Sequence, residues 1–518
     1  MTRTRRAILG IVTNYAATIL LAVSSFVIIP IILRYLSRED YGLWATIGQM
    51  LGYLALLDLG VGSAVVRRTA RMREHGDIEA VNRMVSTAVA LYCLLGLVFL
   101  LAGLGIGFFL PNWSAIPQSR AHVAVIMFII MIVYGAISFP LRVASSTLTG
   151  YQHMAAANMT NMAANLLAPV VSVVLLLAGL GILSLPLGQV AAGLLAAIAA
   201  FVILKRAVPN LRINWASVSR AEAREIFGWS WQLFLNNIAV AIIYQTDNLV
   251  VAGSVGLAAV TVYTLTSRLP MYAMPLVFAL GDSCHPGAFE LYEQGNFDRL
   301  REVYTRVMRL TVAAGMAIAV VAVAFNESFM RLWVGESNYG GLMLTVIFAF
   351  ILCYRVMMQV SSVIVISSGK LKGVVAMSIM EAALNLVLSL WWVRYYGIIG
   401  VALGTAVAGV LTSGWYVVGF VSRELRMNVF EYLGRGVIPP LVCALPAAGT
   451  AYLLTHFYPA TTWPRLFLDA GTVGLVYALC YLFIGLTTGE RDFLTARLAG
   501  FYEAVGGRRR RVATLEKG

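Results

Sequence analysis

The chain has 518 residues, 60% of them apolar and 12% charged, with a mean hydropathy of +0.82. Soluble domains carry about 25% charged residues, so this chain has too few polar side chains to clothe several soluble domains and is expected to be a polytopic membrane protein. Its formal charge of +14 comes from 34 Arg and four Lys set against 24 acidic residues; the first use of such an excess is to fix topology, which leaves no ground for a nucleic-acid partner.

Apolar runs of about 20 residues cross the hydrocarbon core as helices. About fourteen are predicted, at 8–33, 41–65, 84–110, 122–146, 154–179, 183–204, 226–252, 257–282, 303–325, 341–367, 371–393, 396–420, 434–456 and 464–487. Span 1 follows three Arg but runs for 26 residues, longer than the roughly 7–15 of a cleavable signal, so it reads as a retained helix. It carries Asn14, Thr18 and Ser25 on one face. Span 2 carries Asp58, and Arg142 lies near the end of span 4. Span 7 has Ser230, Asn237, Tyr244 and Asn248 on one face, flanked by Asn236 and Asp247. In span 8, Arg268 lies twelve residues beyond Gly256, about 18 Å deep at ~1.5 Å per residue. Span 8 closes on Asp282, Cys284 and His285. Arg355 is central in span 10, and Glu381 has a buried setting in span 11. The segment 488–518, with Arg508–Arg511, is expected to be a solvated basic tail.

Counted by side, 29 basic residues fall on one face of the membrane and six on the other, which puts both termini in the cytoplasm. Three basic residues, Arg142, Arg268 and Arg355, stay within the spans. Each is costly in lipid and must face a wet cavity or an ionic partner; Arg142 could instead snorkel to the interface. Asp247 lies at a depth comparable with Arg268, and the two are expected to pair. Asp247, Asp58, Asp282 and Glu381 are candidates for a proton or cation site, with inter-helix hydrogen bonding as the alternative. The polar faces of spans 1 and 7 either line a cavity or bond between helices.

The five Cys lack CxxC spacing and read as small core residues, and no cluster of His and Cys suggests a metal. No nucleophile motif or phosphate-cradling loop appears, so neither catalysis nor ATP hydrolysis is expected and no cofactor is implied.

A glycine ladder divides the chain. Gly181, Gly188 and Gly193 recur as Gly397, Gly404 and Gly409 at an offset of 216, Gly76 and Gly150 recur as Gly295 and Gly369 at 219, and Tyr41 and Asn14 recur as Tyr263 and Asn236 at 222. The expected organisation is a six-helix bundle at 1–212, a second at 213–428, two extra helices at 429–487 and the tail. An even repeat enters the membrane twice from the same side, the arrangement in which transporters place the substrate path between halves and work by alternating access. The glycines themselves read as close-packing positions.

The stretch IIPIILRYLSREDYGLWATIGQMLGYLALLDLGVGSAVVRR resembles the start of the Wzx-type O-antigen flippases of the MOP (MATE-like) exporter superfamily. LTGYQHMAAAN, YQTDNLVVAGSVGLAAVTVYTLTSRL, the LWVG at 332–335 and the SSGK at 367–370 extend the resemblance over most of the chain. It implies two six-helix bundles around a central cavity in a bacterial inner membrane. The cargo implied is an undecaprenyl-pyrophosphate-linked oligosaccharide, moved to the periplasmic leaflet and passed to glycan polymerase and chain-length machinery. Arg268, Arg355 and Arg142 would bind the pyrophosphate, since guanidinium pairs bidentately with phosphate. Asn14, Thr18, Ser25, Asn236, Asn237, Tyr244 and Asn248 would line the cavity. A proton or sodium gradient, or the membrane potential, would give the acidic candidates a role. The lipid II branch looks to carry Arg in its first two helices; here no charge lies between Arg6 and Arg34, so that cargo is not implied. The alternatives are a multidrug/cation antiporter of the same superfamily and an O-antigen polymerase or ligase. Against the enzyme stands the longest external segment, only about 111–121.

Overall fold

The computed structural model describes residues 3–74, 77–282, 284–486 and 490–491, apart from the side chains of 3–18, 74, 227–237, 239–240 and 244. Among these residues there are helices and no strand. This is what lipid demands, because a helix satisfies its own backbone without water. The first half runs α1 (Arg3–Tyr35), α2 (Arg38–Leu54), α3 (Val61–Glu74), α4 (Ile78–Phe109), α5 (Gln118–Gly150), α6 (Met154–Leu175) and α7 (Ser184–Ala207). The second runs α8 (Arg220–Ser254), α9 (Leu257–Asp282), α10 (His285–Glu293), α11 (Phe297–Trp333), α12 (Leu342–Ser368), α13 (Leu371–Tyr396), α14 (Ile398–Gly409) and α15 (Trp415–Glu424). α16 (Val429–Gly436), α17 (Ile438–Phe457) and α18 (Trp463–Cys480) follow.

Each of the fourteen expected spans falls on one helix or on consecutive helical segments. By length and apolar composition alone, nine described helices can cross a membrane, or ten with a bent pair counted as one span. That count takes Met154–Ala207 as one helix, although a glycine turn divides it into α6 and α7. The bent pair is span 2: α2 and α3 meet at 42°, where Leu59 (φ 52°) and Gly60 (φ 75°) leave the helical region. Asp58 sits at this break.

The chain forms two compact units. The first is Met1–Leu276 with Met330–Phe348 and Lys370–Tyr416; the second is Val277–Phe329 with Ala349–Gly369 and Val417–Gly518. Their boundaries fall within α9, α11, α12 and α15.

The glycine ladder has a structural counterpart inside the first unit. Gly181 turns the chain into α7 at φ 55°, ψ −140°, and Gly397 turns it into α14 at φ 57°, ψ −137°. This region is essentially closed to residues with a side chain. Two turns further on, a Cβ on Gly188 would lie 2.1 Å from Ser172 Oγ, and one on Gly404 would lie 2.7 Å from Ser389 Oγ. Ser172 Oγ reaches the carbonyl of Leu185 at 3.5 Å, and Ser389 Oγ that of Val401 at 3.3 Å. Both helical hairpins therefore close in the same way, glycine against serine. Gly76, the partner of Gly295, lies outside the described residues.

At the arginine-rich side of the first unit, α8 is tied to α3 and α4. Ser219 caps α8, and its own N–H donates to Thr87 Oγ1 on α4 (3.0 Å). Arg68 on α3 lies 2.6 Å from Glu222 and also pairs with Glu225. The linker before α8 is sewn to α4 by Arg212 N–H to Asn82 Oδ1 (2.9 Å) and Asn214 N–H to Ser86 Oγ (3.0 Å).

The second unit has a comparable tie. Arg309 on α11 is buried, donating to the Arg435 carbonyl and to Glu490 at 2.8 Å each. Sequence places Arg309 among the topology-setting charges; the structure makes it the buried anchor for the segment after α18. Apart from residues 490–491, the expected basic tail lies outside the described residues. Outside the spans, Tyr292 on α10 donates to Glu424 (2.9 Å), and burial, reinforced by that carboxylate, pushes its phenol up to about 12. Of the cysteines read as core, Cys443 is buried but Cys93 is exposed on α4.

Valine at Gly188 or Gly404 is expected to overpack its hairpin by about 1–3 kcal/mol, lowering Tm in detergent by a similar amount for the two. A Gly404→Val protein as stable as the wild type contradicts this packing. Arg68→Glu is expected to lose about 1–3 kcal/mol, between an exposed and a fully buried ion pair. Adding Glu222→Arg recovers part of it; no recovery in thermal unfolding would remove the ion pair as the cause.

Candidate functional site

Two charged clusters occur in the first unit, built on α9 and α8. The first is built on Arg268 of α9. Its Nη1 donates to the hydroxyl of Tyr272, one turn on, and its Nη2 to the hydroxyl of Tyr41 on α2 at 3.0 Å. The guanidinium lies over the Tyr272 ring, 5.0 Å from its centroid, a favourable cation–π placement. Tyr272 OH in turn lies 2.7 Å from Ser25 Oγ on α1. Behind it, Phe26 meets the ring of Tyr272 edge-on and also that of Trp333, whose Nε1 donates to the Phe26 carbonyl (2.6 Å). Arg268 Nε is buried without a hydrogen-bond partner. Among the described residues Arg268 meets no carboxylate, so its charge is held in place without being neutralised.

The second cluster is built on Asp247 of α8. Tyr263 OH donates to its Oδ2 at 2.7 Å. Thr405 Oγ1 of α14 lies 3.1 Å from both carboxylate oxygens and 3.3 Å from Asn385 Oδ1 of α13. Glu381 is 2% exposed, one turn before Asn385, which is itself 1% exposed. Asp247, Asn385 and Thr405 bring a carboxylate, a carboxamide and a hydroxyl together where three helices meet, and Glu381 is buried one turn along α13. Oxygen donors of this kind suit a proton or a hard cation.

The expected Asp247–Arg268 pair does not form. Depth alone suggested it, but at about 100° per residue Tyr263 and Arg268 point about 140° apart around α9. Asp247 meets the Tyr263 face, while Arg268 turns to α2.

The other candidates lie apart. Arg142 Nη1 is 3.9 Å from Asp58 Oδ1, the side chains being 47% and 27% exposed, and its guanidinium lies over Phe139. This is a loose ion pair at the break in span 2. Arg355 belongs to the second unit, where it lies over the Tyr354 ring at 5.5 Å. Asp282, also of the second unit, accepts from Gln359 Nε2 (2.7 Å) and lies 3.5 Å from His285. Asn248 is buried and accepts from Thr264 at 3.4 Å, an inter-helix bond. The side chains of Asn14, Thr18, Asn236, Asn237 and Tyr244 lie outside the described residues. Sequence reasoning missed Tyr272, Thr405 and Asn385. It did single out Tyr41 and Tyr263 as repeat partners, and these hold Arg268 and Asp247 respectively.

The model of a family described as polysaccharide biosynthesis protein matches residues 9–284, and the MatE model matches residues 233–391. No curated protein matches the chain. Among solved structures, the chain is similar to the lipid II flippase MurJ in an inward closed conformation. The TM-score is 0.70 at 15% identity, covering 92% of this chain and 99% of that one. It is similar also to a multidrug resistance MATE family transporter of the MOP superfamily in an inward-facing conformation (TM-score 0.62, 16% identity, 78% and 95% covered). A third is a MATE crystal structure in complex with MaL6 (TM-score 0.52, 18% identity, 79% and 97% covered). Identities this low speak for the fold, that of a MATE-like transporter. The polysaccharide model takes in more than half of the sequence, and the chain belongs to the polysaccharide biosynthesis protein family.

Proposed function

We propose that the chain is a flippase for an undecaprenyl-pyrophosphate-linked oligosaccharide. It would work by alternating access in a bacterial inner membrane, with both termini cytoplasmic, and carry cargo to the periplasmic leaflet for O-antigen, capsule or exopolysaccharide synthesis. The observation that carries this reading is Arg268: a guanidinium held by two phenols and meeting no carboxylate among the described residues. Such a cation attracts phosphate, and the family supplies a lipid-linked saccharide as the natural bearer of one. Arg142, beside Asp58, and Arg355, in the second unit, are separate phosphate candidates in this reading, and glycan polymerase and chain-length machinery would receive the product.

The Asp247 cluster would couple transport to a proton or sodium gradient, with Glu381 as a second carboxylate. Asp58 and Asp282 are weaker candidates, because each already meets a basic partner and is partly exposed. The second reading, a multidrug/cation antiporter, draws on the MatE match and on these buried acids. A cationic cargo would be repelled by Arg268, which favours the flippase. Gain of resistance to cationic dyes on expression would favour the antiporter.

In a host that needs this protein for surface glycan, Arg268→Ala and Arg355→Ala are expected to cut glycan display roughly tenfold or more, the worth of a charged hydrogen bond. Arg268→Lys should rescue only in part, since Lys lacks the fork. Full display from both Ala variants at normal protein levels would sink the pyrophosphate assignment. Asp247→Asn is expected to slow transport and flatten its pH dependence; an unchanged rate across pH would remove Asp247 from coupling.

A further inference from the structure

The molecule holds several structured features besides the two clusters. The Arg309–Glu490 anchor and the Arg68–Glu222 tie are ion pairs between helices, and the small cavity beside Cys284 is lined by apolar side chains with Tyr304. None points to a ligand. The phenols around Arg268 do, through what they leave undone.

We infer that Tyr41 and Tyr272 are positioning residues that hold Arg268 as a charged, pre-oriented phosphate receptor, an inference that rests on the pyrophosphate reading above. An arginine has five N–H donors. The two phenols accept one from each terminal nitrogen. Three are left over, and one of them, Nε–H, is buried without a hydrogen-bond partner. A buried unpaired donor carries a desolvation cost that an incoming acceptor removes. A phosphate oxygen, which accepts charge-assisted bonds from a guanidinium, is such an acceptor.

The choice of phenol over carboxylate matters. An aspartate at either position would fix the guanidinium equally well but would cancel its charge, and an anionic cargo would then have to break an ion pair. A phenol accepts the hydrogen bond and brings no charge. Tyr272 does two tasks: its ring lies under the guanidinium and its hydroxyl bonds it. Its own hydroxyl is tethered by Ser25 on α1, while Tyr41 is 4% exposed and fixed on α2. The chain Ser25–Tyr272–Arg268–Tyr41 thus joins α1, α9 and α2 at one cation. A long side chain fixed before binding does not lose its freedom on binding, which is the gain of pre-organisation.

The test uses the purified full-length protein with farnesyl pyrophosphate as probe, and farnesol as the uncharged reference, at fixed ionic strength. Arg268→Ala is expected to abolish the preference for the pyrophosphate over the alcohol. Tyr272→Phe, which keeps the ring, should weaken pyrophosphate binding roughly three- to tenfold, the scale of ordering one rotamer-rich side chain, and leave farnesol binding unchanged. Tyr41→Phe should do the same, and Ser25→Ala, the mildest change, should give a smaller loss in the same direction. In the Arg268→Ala background Tyr272→Phe and Ser25→Ala should have no further effect. Equal losses with and without Arg268, or wild-type affinity in Tyr272→Phe while Arg268→Ala is defective, would overturn the positioning role and leave the pyrophosphate reading standing. Unaltered pyrophosphate preference in Arg268→Ala would overturn both.

Discussion

A polar group inside a membrane has no water to turn to, and most of this structure follows from that constraint. It makes the described backbone helical. It puts a serine against a glycine at both hairpin turns, Ser172 at Gly188 and Ser389 at Gly404, so that each hydroxyl reaches a carbonyl inside protein. It also requires that a charge at depth be held by something. The chain meets that last demand in three ways. Arg309 takes a carboxylate and a backbone carbonyl. Arg142 stands loosely by Asp58 where it is half exposed. Among the described residues Arg268 takes phenols. The three solutions differ in what they leave over. A buried ion pair is spent on anchoring, whereas a phenol-held guanidinium still has a charge to offer.

The outline was legible in the sequence because it rests on properties that a residue carries by itself. An apolar run of spanning length is a helix whatever its neighbours, and the fourteen expected spans all fall on helical segments. Glycine is equally plain: Gly181 and Gly397 adopt nearly the same φ and ψ, and no other residue type would do so readily. What could not be read was pairing. Asp247 and Arg268 share a depth, but depth is one coordinate and helical phase is another, and five residues along α9 suffice to separate them. Arg309 was counted with the solvated charges of its side because rules of topology sum charges and ignore burial. Tyrosine is the hardest case. In composition it counts as apolar, yet here four helices present or receive its hydroxyl at the two clusters, through Tyr41, Tyr272 and Tyr263.

The repeat offered more than architecture. Tyr41 and Tyr263, which the sequence relates at an offset of 222, each meet a charge, but of opposite sign. Tyr41 accepts from a guanidinium; Tyr263 donates to a carboxylate. A hydroxyl can do either, so one residue type suits a cation at one cluster and an anion at the other. An Asp or an Arg at the same place would have been locked into one role.

The geometry of α9 bears on how two such sites coexist. In a low-dielectric interior, opposite unit charges attract strongly enough to collapse into an ion pair whenever their side chains can meet. A collapsed pair would serve neither an anionic cargo nor a coupling cation. Here Tyr263 and Arg268 point to different sides of α9, and hydroxyls from Tyr263 and Thr405 satisfy Asp247 on its own side. The helix thus holds the guanidinium and the carboxylate on different sides, and hydroxyls meet each of them. Because α9 contributes a residue to both clusters, a change in its rotation or tilt alters the surroundings of Arg268 and Asp247 together.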